Sequence, residues 1–432
     1  MKNKFARATF ILMIGGLFTK ILGFIIKIIY TRLIGEDGVS LYMLIFPTYS
    51  LLITIASLGL PIAISKLVAQ KKNSSQKIVF SLTPVMLFLN ALIIIIMLFL
   101  SPYIAQYLLH QSQVSILLIF CSLTLPFISI SSIIKGYFYG KQRMLPHTVS
   151  NVGEQLIRLV LIVLVIPYLL TINSTMAVGG LILLNIVSES VSVIIFLLFL
   201  PKGFKINKNE LKPDLGTIKD VFEQSIPTVS SRLIGNIGFF FEPIILTNVL
   251  LFSGYTKEFI LREYGVFNGY VLGLLLLPAF FTMAVSSSLI PEISRYAGIN
   301  NYEMVKRRFK QALNLSIIVG AFISLIIFFF AKELLYLVFN TSSGVEYIKV
   351  LTPFFVLFYI EGPLIATLQA LGKARICMRI TLIGIIIKLL LMSLLSLCHI
   401  GLYGLIVAEV VNIIVVVTWN YHYIRKVIFL AK

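Results

Sequence analysis

The sequence is short of the residues from which catalytic centres are built. It has 17 acidic residues, four histidines and three cysteines in 432 positions. Cys121, Cys377 and Cys398 lie in or beside apolar runs at no paired spacing, so neither a disulfide framework nor a thiolate metal site is expected. His110, His147, His399 and His422 stand at the ends of apolar runs, where solvated or interfacial roles are the simple expectation. No H-E-x-x-H, G-x-S-x-G or Walker glycine loop occurs, which argues against a zinc hydrolase, a serine hydrolase and a nucleotide-driven machine. Alternation of period two is absent from the apolar runs, and with it the signature of a membrane barrel.

Hydrocarbon is abundant. The chain is 59% hydrophobic, with a mean hydropathy of +1.00. Apolar runs of helix-spanning length recur throughout, which excludes a soluble core of this size. Twelve spans are expected, at 8–31, 41–65, 78–100, 114–134, 147–170, 176–200, 221–251, 264–290, 311–331, 347–371, 376–398 and 401–424. The opening MKNKFARATFILMIGG has the basic start of a signal peptide. Its apolar run continues past the usual length and no A-x-A site follows, so an uncleaved first span is expected.

The short segments between spans carry the orientation signal. Placing the N-terminus inside puts 26 of the 36 Lys and Arg in cytoplasmic segments, among them KKNSSQK, KGYFYGKQRM and GKARICMR. Five fall outside and five within spans. Both termini are therefore expected in the cytoplasm, in the plasma membrane, with the chain a monomer. The +19 net charge is topogenic and faces anionic inner-leaflet lipid, so no nucleic-acid partner is implied. Tyr137, Phe138, Tyr139, Trp419, Tyr421 and Tyr423 read as interfacial anchors at span ends.

A basic segment at 201–220 divides the spans six and six, giving an N-lobe of 1–200 and a C-lobe of 221–432. Echoes link the halves: LPIAISK at 60–66 with IPEISR at 290–295, and a Pro-Phe followed by a Gly-Lys turn at 140–141 and at 372–373. The fold class is an all-α polytopic membrane protein built from a parallel six-helix repeat, an arrangement that commonly holds a substrate near the membrane midplane.

Ionisable residues inside spans are functional candidates, because burying each costs about 2.5–3.5 kcal/mol or more. Lys20, Phe24, Lys27 and Thr31 share one helix face, with Lys20 near the middle of its span and Lys27 nearer the outside. Snorkelling to the interface accounts for Lys27 more readily than for Lys20. Glu154 and Arg158 are spaced to pair on one face. Arg232 opens the seventh span, and Glu242 lies about 15 Å further along, beyond its direct reach. Lys388 has no local acid, and Glu361 or Glu409 could neutralise it across the bundle. Glu189, beside Asn185, is ambiguous between a structural and a coupling role. Basic residues in both halves favour an anionic ligand.

Three blocks carry a resemblance. GGLFTKILGFIIKIIYTRLIGEDG with its continuation to Gln70, KGYFYGKQRMLPHTVSNVGEQLIRLVLIV, and LQALGKARICMRITLIGIIIKLLLM together resemble the family of stage V sporulation protein B. That family lies within the multidrug/oligosaccharidyl-lipid/polysaccharide exporters, alongside lipid II flippases and MATE transporters. The resemblance implies two six-helix lobes around a V-shaped central cavity, alternating access, and an undecaprenyl-diphosphate-linked saccharide as substrate, lipid II above others. It places Lys20, Lys27 and Arg32 where related flippases carry basic first-helix residues, and Glu154 and Arg158 in the fifth-span motif. It implies no enzyme activity, metal or cofactor, and coupling to Na+, H+ or the membrane potential, with Glu189, Glu242, Glu361 and Glu409 as candidate coupling or structural acids. Many relatives have fourteen spans, the last two helping to form a tail groove; here about twelve are expected. The alternatives are a cation-coupled drug or metabolite antiporter of the same fold, an exporter of another lipid-linked polysaccharide unit, and a non-transporting scaffold.

Overall fold

The computed structural model describes residues 2–70, 75–201 and 214–429, with side chains described from residue 15 onward apart from 227, 228, 231 and 429. Most of the 201–220 segment and the KKNS of 71–74 thus lie outside the described residues. Sixteen α-helices follow one another: α1 Lys2–Ser57, α2 Leu60–Gln70, α3 Ser75–Tyr103, α4 Val114–Leu123, α5 Leu125–Gly140, α6 Met144–Leu170, α7 Ser174–Leu198, α8 Leu215–Phe252, α9 Lys257–Gly265, α10 Leu272–Leu275, α11 Ala279–Gly298, α12 Tyr302–Phe329, α13 Ala331–Phe339, α14 Val345–Ala370, α15 Ala374–Ser396 and α16 Tyr403–Ile424. No strand occurs among the described residues.

Among the described residues, ten helical stretches are long and apolar enough to cross a membrane, or eleven if the bent pair Lys257–Leu275 and Ala279–Gly298 forms one span. The first, Gly15–Gln70, has 56 residues. At 1.5 Å per residue it is about 84 Å long, far beyond the roughly 30 Å hydrocarbon core. It is broken at Gly35, whose φ of 66° and ψ of −173° leave the helical region. Only glycine takes that conformation without strain. Expected spans one and two share this stretch, and the eighth is the bent pair. The other expected spans each coincide with one helical stretch.

The chain forms two compact units, Met1–Phe240 and Phe241–Lys432. The division falls inside α8, some twenty residues beyond the expected start of the second lobe at 221.

In the first unit, α2, α3 and α5 enclose a core that includes Leu60, Ile64, Leu82, Met86 and Phe138, with Phe196 of α7 packed against it. Close approach of α2 and α5 depends on Gly136 and Gly140, one turn apart. A Cβ on Gly136 would come within 2.8 Å of the Ile64 Cβ, and one on Gly140 within 2.8 Å of the Ser65 carbonyl oxygen. This is the small-residue contact that membrane helices use, because lipid supplies little hydrophobic drive for helix association. Polar pairs add to it. Asn90 of α3 donates to the Ser129 hydroxyl of α5 at 2.7 Å, which donates to the Ala56 carbonyl of α1 at 2.8 Å. Asn236 of α8 donates to the Thr54 hydroxyl at 2.5 Å and to the Ser50 carbonyl at 3.2 Å.

Two anchor assignments are corrected here. Phe138 and Tyr137 are buried in this core, Phe138 stacking on Phe196, rather than lying at an interface. Tyr139 and His147 are paired, 2.7 Å apart, with Asn151 also reaching His147 at 3.1 Å, so His147 is a packed residue and not a solvated one. Trp419 and Tyr421 are exposed. So are Phe88, Phe99, Leu164, Leu198, Ile318 and Phe329, the surface expected of helices that face lipid.

At the start of α8, Asp214 accepts hydrogen bonds from the Thr217 hydroxyl and amide and pairs with Lys77 at 3.2 Å. Thr217 and Lys77 hold its carboxyl below the ordinary carboxylate range.

The Gly-Lys echo also acquires a structural register. After α5 the chain turns through Gln142, with a φ of 55°, and the Arg143 amide donates to the Phe138 carbonyl. After α14 it turns through Gly372, with a φ of 73°, and the Lys373 amide donates to the Leu368 carbonyl. Both are helix ends closed by one left-handed residue. The equivalent of Gly372 is therefore Gln142, not Gly140, which is a packing glycine.

Candidate substrate-binding site

Each unit buries a cluster of charge on its fifth expected span. In the first unit the cluster is centred on Glu154 of α6, which is only 6% exposed. Arg158, one turn on, lies 2.9 Å away, as the i, i+4 spacing requires. Its Nε also donates to the Ser188 hydroxyl of α7 at 3.2 Å. A second cation, Lys135 of α5, lies 3.9 Å from Glu154. The loop-charge count treats Lys135 as a topogenic residue. The structure corrects that: α5 runs on to Gly140, and the lysine is drawn into the bundle. Its position five residues before the Gly-Lys turn was the available signal. Glu189 of α7 is near enough to interact electrostatically with Glu154, and its Oε2 is buried with no hydrogen-bond partner.

Lys20 and Lys27 lie on α1, which packs against α6. Lys20 and Arg32 are exposed, and Lys27 is half-buried. Thr31, predicted to share their face, is buried and donates its hydroxyl to the Lys27 carbonyl at 2.7 Å. An exposed ammonium in mid-span has no stable place against lipid tails, so its surroundings must supply water or an anion.

In the second unit Lys388 of α15 lies 2.6 Å from Glu242 of α8 and 2.5 Å from Glu409 of α16. Glu409 is the partner the sequence offers; Glu242, considered there only against Arg232, is the one it does not. Tyr264 of α9 donates to the other oxygen of Glu242 at 3.4 Å. Glu361 of α14 interacts electrostatically with Glu409. One ammonium is thus shared by two carboxylates, with Glu361 close to the second, and Lys388 is a structural counter-ion, leaving the cluster with an acidic excess. Arg232 is exposed on α8 and joins neither cluster.

No group of three or more potential metal ligands occurs among the described residues. Buried ion clusters on helices of membrane-spanning length, packed by small residues and polar pairs, mark a multi-pass membrane protein. Comparison with known proteins agrees. Residues 5–297 match the family described as polysaccharide biosynthesis protein, and residues 269–394 match the MatE family. The chain is 35% identical to stage V sporulation protein B of Bacillus subtilis over 439 aligned residues, covering 99% of this chain and 85% of that one. It is 23% identical to the lipid II flippase MurJ of Bacillus subtilis, over 90% of this chain and 77% of that one. The fold matches an inward-facing multidrug resistance MATE family transporter of the MOP superfamily, with a TM-score of 0.75, 18% identity and 98% of both chains covered. The chain belongs to the polysaccharide biosynthesis protein family, and its fold is that of the MATE transporters.

Proposed function

We propose that this protein is a transporter that flips a lipid-linked saccharide diphosphate, lipid II or a related wall precursor, from the inner to the outer leaflet of the plasma membrane by alternating access. The observation that carries the reading is the exposed mid-span ammonium of Lys20 on α1, in a chain related over 90% of its length to a protein named for flipping lipid II. A diphosphate is the group on such a substrate that an exposed ammonium attracts most strongly. In a low-dielectric site the attraction is several times stronger than in water. Lys27, Arg32, and the Lys135–Arg158 pair sharing Glu154 extend the same preference for an anion within the first unit. Cytoplasmic termini and the basic inner loops fit this direction of movement. An inside-negative potential adds about 2.3 kcal/mol per charge per 100 mV to outward passage of an anion. The acidic excess around Lys388 is the place in the second unit where a coupling proton or sodium ion would be felt.

The test is complementation of a bacterial strain depleted of its own lipid II flippase. Growth restored by the wild-type chain is the expected result. Failure to restore growth, from a chain shown to reach the membrane at normal abundance, would remove lipid II as the substrate.

A further inference from the structure

The first unit contains a cavity that the transport reading does not use. It has a volume of about 210 Å³ and is walled by Phe80 and Thr83 of α3, Ile130, Ile134 and Tyr137 of α5, and Leu197 of α7. The lining is almost wholly apolar. It lies where α3 begins and where α5 and α7 end, the side that the basic loops assign to the cytoplasm. From Tyr137 at the mouth to Ile130 the wall runs seven residues, about 10 Å, into the hydrocarbon.

The face of α5 that lines it repeats at 130, 134 and 137, and the next position on that face is Lys141. The Lys141 ammonium stands 5.9 Å from the centre of the Tyr137 ring. Arg143 follows and is close enough to interact electrostatically with the same tyrosine. Both cations are exposed, and neither forms an ion pair among the described residues. Lys77, at the start of α3, is by contrast already paired with Asp214. The arrangement is a hydrocarbon slot with two uncommitted positive charges at its mouth.

We infer that this cavity binds an anionic glycerophospholipid of the inner leaflet, one acyl chain lying between α3, α5 and α7 and the phosphate against Lys141 and Arg143. At roughly 30 Å³ for a water-sized group, the space takes about seven such groups, enough for a chain segment but not a whole lipid. A glycerophospholipid places a chain directly beneath its charge, as the cavity and its mouth require. Basic pockets between membrane helices on the cytoplasmic side hold anionic head groups in this way. The bound lipid would brace the α3–α5–α7 contact, and the inference is independent of which saccharide the protein moves.

The experiment titrates purified, delipidated full-length protein with phosphatidylglycerol, with phosphatidylcholine of the same chains, and with undecaprenyl phosphate, reading bound lipid by native mass spectrometry and the unfolding temperature in parallel. Phosphatidylglycerol should bind and raise the unfolding temperature, and phosphatidylcholine should do neither. Lys141→Gln with Arg143→Gln should weaken phosphatidylglycerol binding by about tenfold or more, each cation near an anionic head group being worth about 1 kcal/mol. Lys219→Gln with Lys426→Gln removes the same charge from elsewhere and should leave it unchanged. Ile134→Trp should fill the slot and abolish the effect; the surface double variant keeps the test decisive if Ile134→Trp does not fold. Equal binding of phosphatidylcholine, or undiminished binding by the Lys141/Arg143 double variant, would overturn the inference. So would undecaprenyl phosphate competing as well as phosphatidylglycerol, which would make the occupant an isoprenoid.

Discussion

Arg158 and Lys388 occupy the same register in the two halves of the chain. Each lies sixteen residues beyond the left-handed residue that closes the preceding helix, Gln142 for Arg158 and Gly372 for Lys388. Each is the cation of its unit's buried cluster, yet the two are neutralised differently. Arg158 pairs with an acid one turn earlier on its own helix, whereas Gly384 stands at the corresponding place before Lys388. The second unit draws its acids from α8 and α16 instead. An internal repeat has kept the cation and moved its counter-charge.

That difference predicts an asymmetry at Lys388. Replacing it with Met leaves Glu242 and Glu409 facing each other without a counter-ion and should destabilise the protein by about 3–5 kcal/mol. Glu409→Gln leaves a one-to-one pair with Glu242 and should cost much less. Thermal unfolding of the purified variants checks the order. A Glu409→Gln variant as unstable as Lys388→Met would contradict the assignment of Lys388 as the shared counter-ion.

The first cluster should respond in the opposite sense. Glu154 is the acid shared by Lys135 and Arg158, so Glu154→Gln strands two cations and should lower membrane abundance more than Arg158→Gln, which leaves the Lys135–Glu154 pair. The double variant Glu154→Gln with Arg158→Gln should recover abundance relative to Glu154→Gln alone. If it is abundant and inactive, the pair takes part in transport beyond holding charge in the membrane.

Gly140 is a packing position. A Cβ there must push against the backbone oxygen of Ser65 and the Val68 side chain, neither of which can swing aside cheaply. Gly140→Ala should cost about 1–3 kcal/mol, and Gly140→Leu should stop the first unit from assembling. Gly16, with nothing near its Cβ position, should tolerate Ala with little effect. Unfolding temperatures of the three variants report this directly.

Much of the fold is legible in the sequence because the bilayer imposes it. Hydrophobic runs had to be about twenty residues long, and every expected span falls on a helical stretch. What periodicity could not show was where helices fuse or break. The break at Gly35 falls in the polar TRLIGEDG between the first two expected spans, whereas the bend of the eighth span near Pro278 is hidden in a continuous apolar run. At the site, Glu154–Arg158 is readable because its partners are four residues apart. Glu242–Lys388 is not, since 146 residues separate them and only folding selects that acid over Glu361. Lys135, Phe138 and His147 were misassigned for one shared reason: a residue near a helix end looks interfacial in sequence, although neighbouring helices can enclose it.

The orientation follows from loop charge and can be checked without a structure. In a background lacking the three native cysteines, single cysteines at Ser74 and Asn207 should react with impermeant maleimide only in inverted vesicles. One at Ser112 should react in intact cells. The reverse pattern at two of the three sites would invert the direction of transport.

The central claim is that an anion is recognised by the mid-span lysine of α1. Lys20→Ala removes a charge that opposed insertion by about 2.5–3.5 kcal/mol, so it should insert normally, and any loss of activity is functional. Lys20→Arg should keep part of the activity, since the charge persists in a different geometry. Lys20→Glu should abolish it by setting a carboxylate against a diphosphate. Lys27→Ala should be milder than Lys20→Ala, because Lys27 can reach the outer interface. The most direct measurement is the rate at which proteoliposomes flip lipid-linked saccharide diphosphate with wild-type, Lys20→Arg and Lys20→Glu proteins at equal density. The account predicts full, partial and no flipping in that order; Lys20→Glu flipping at the wild-type rate would contradict it.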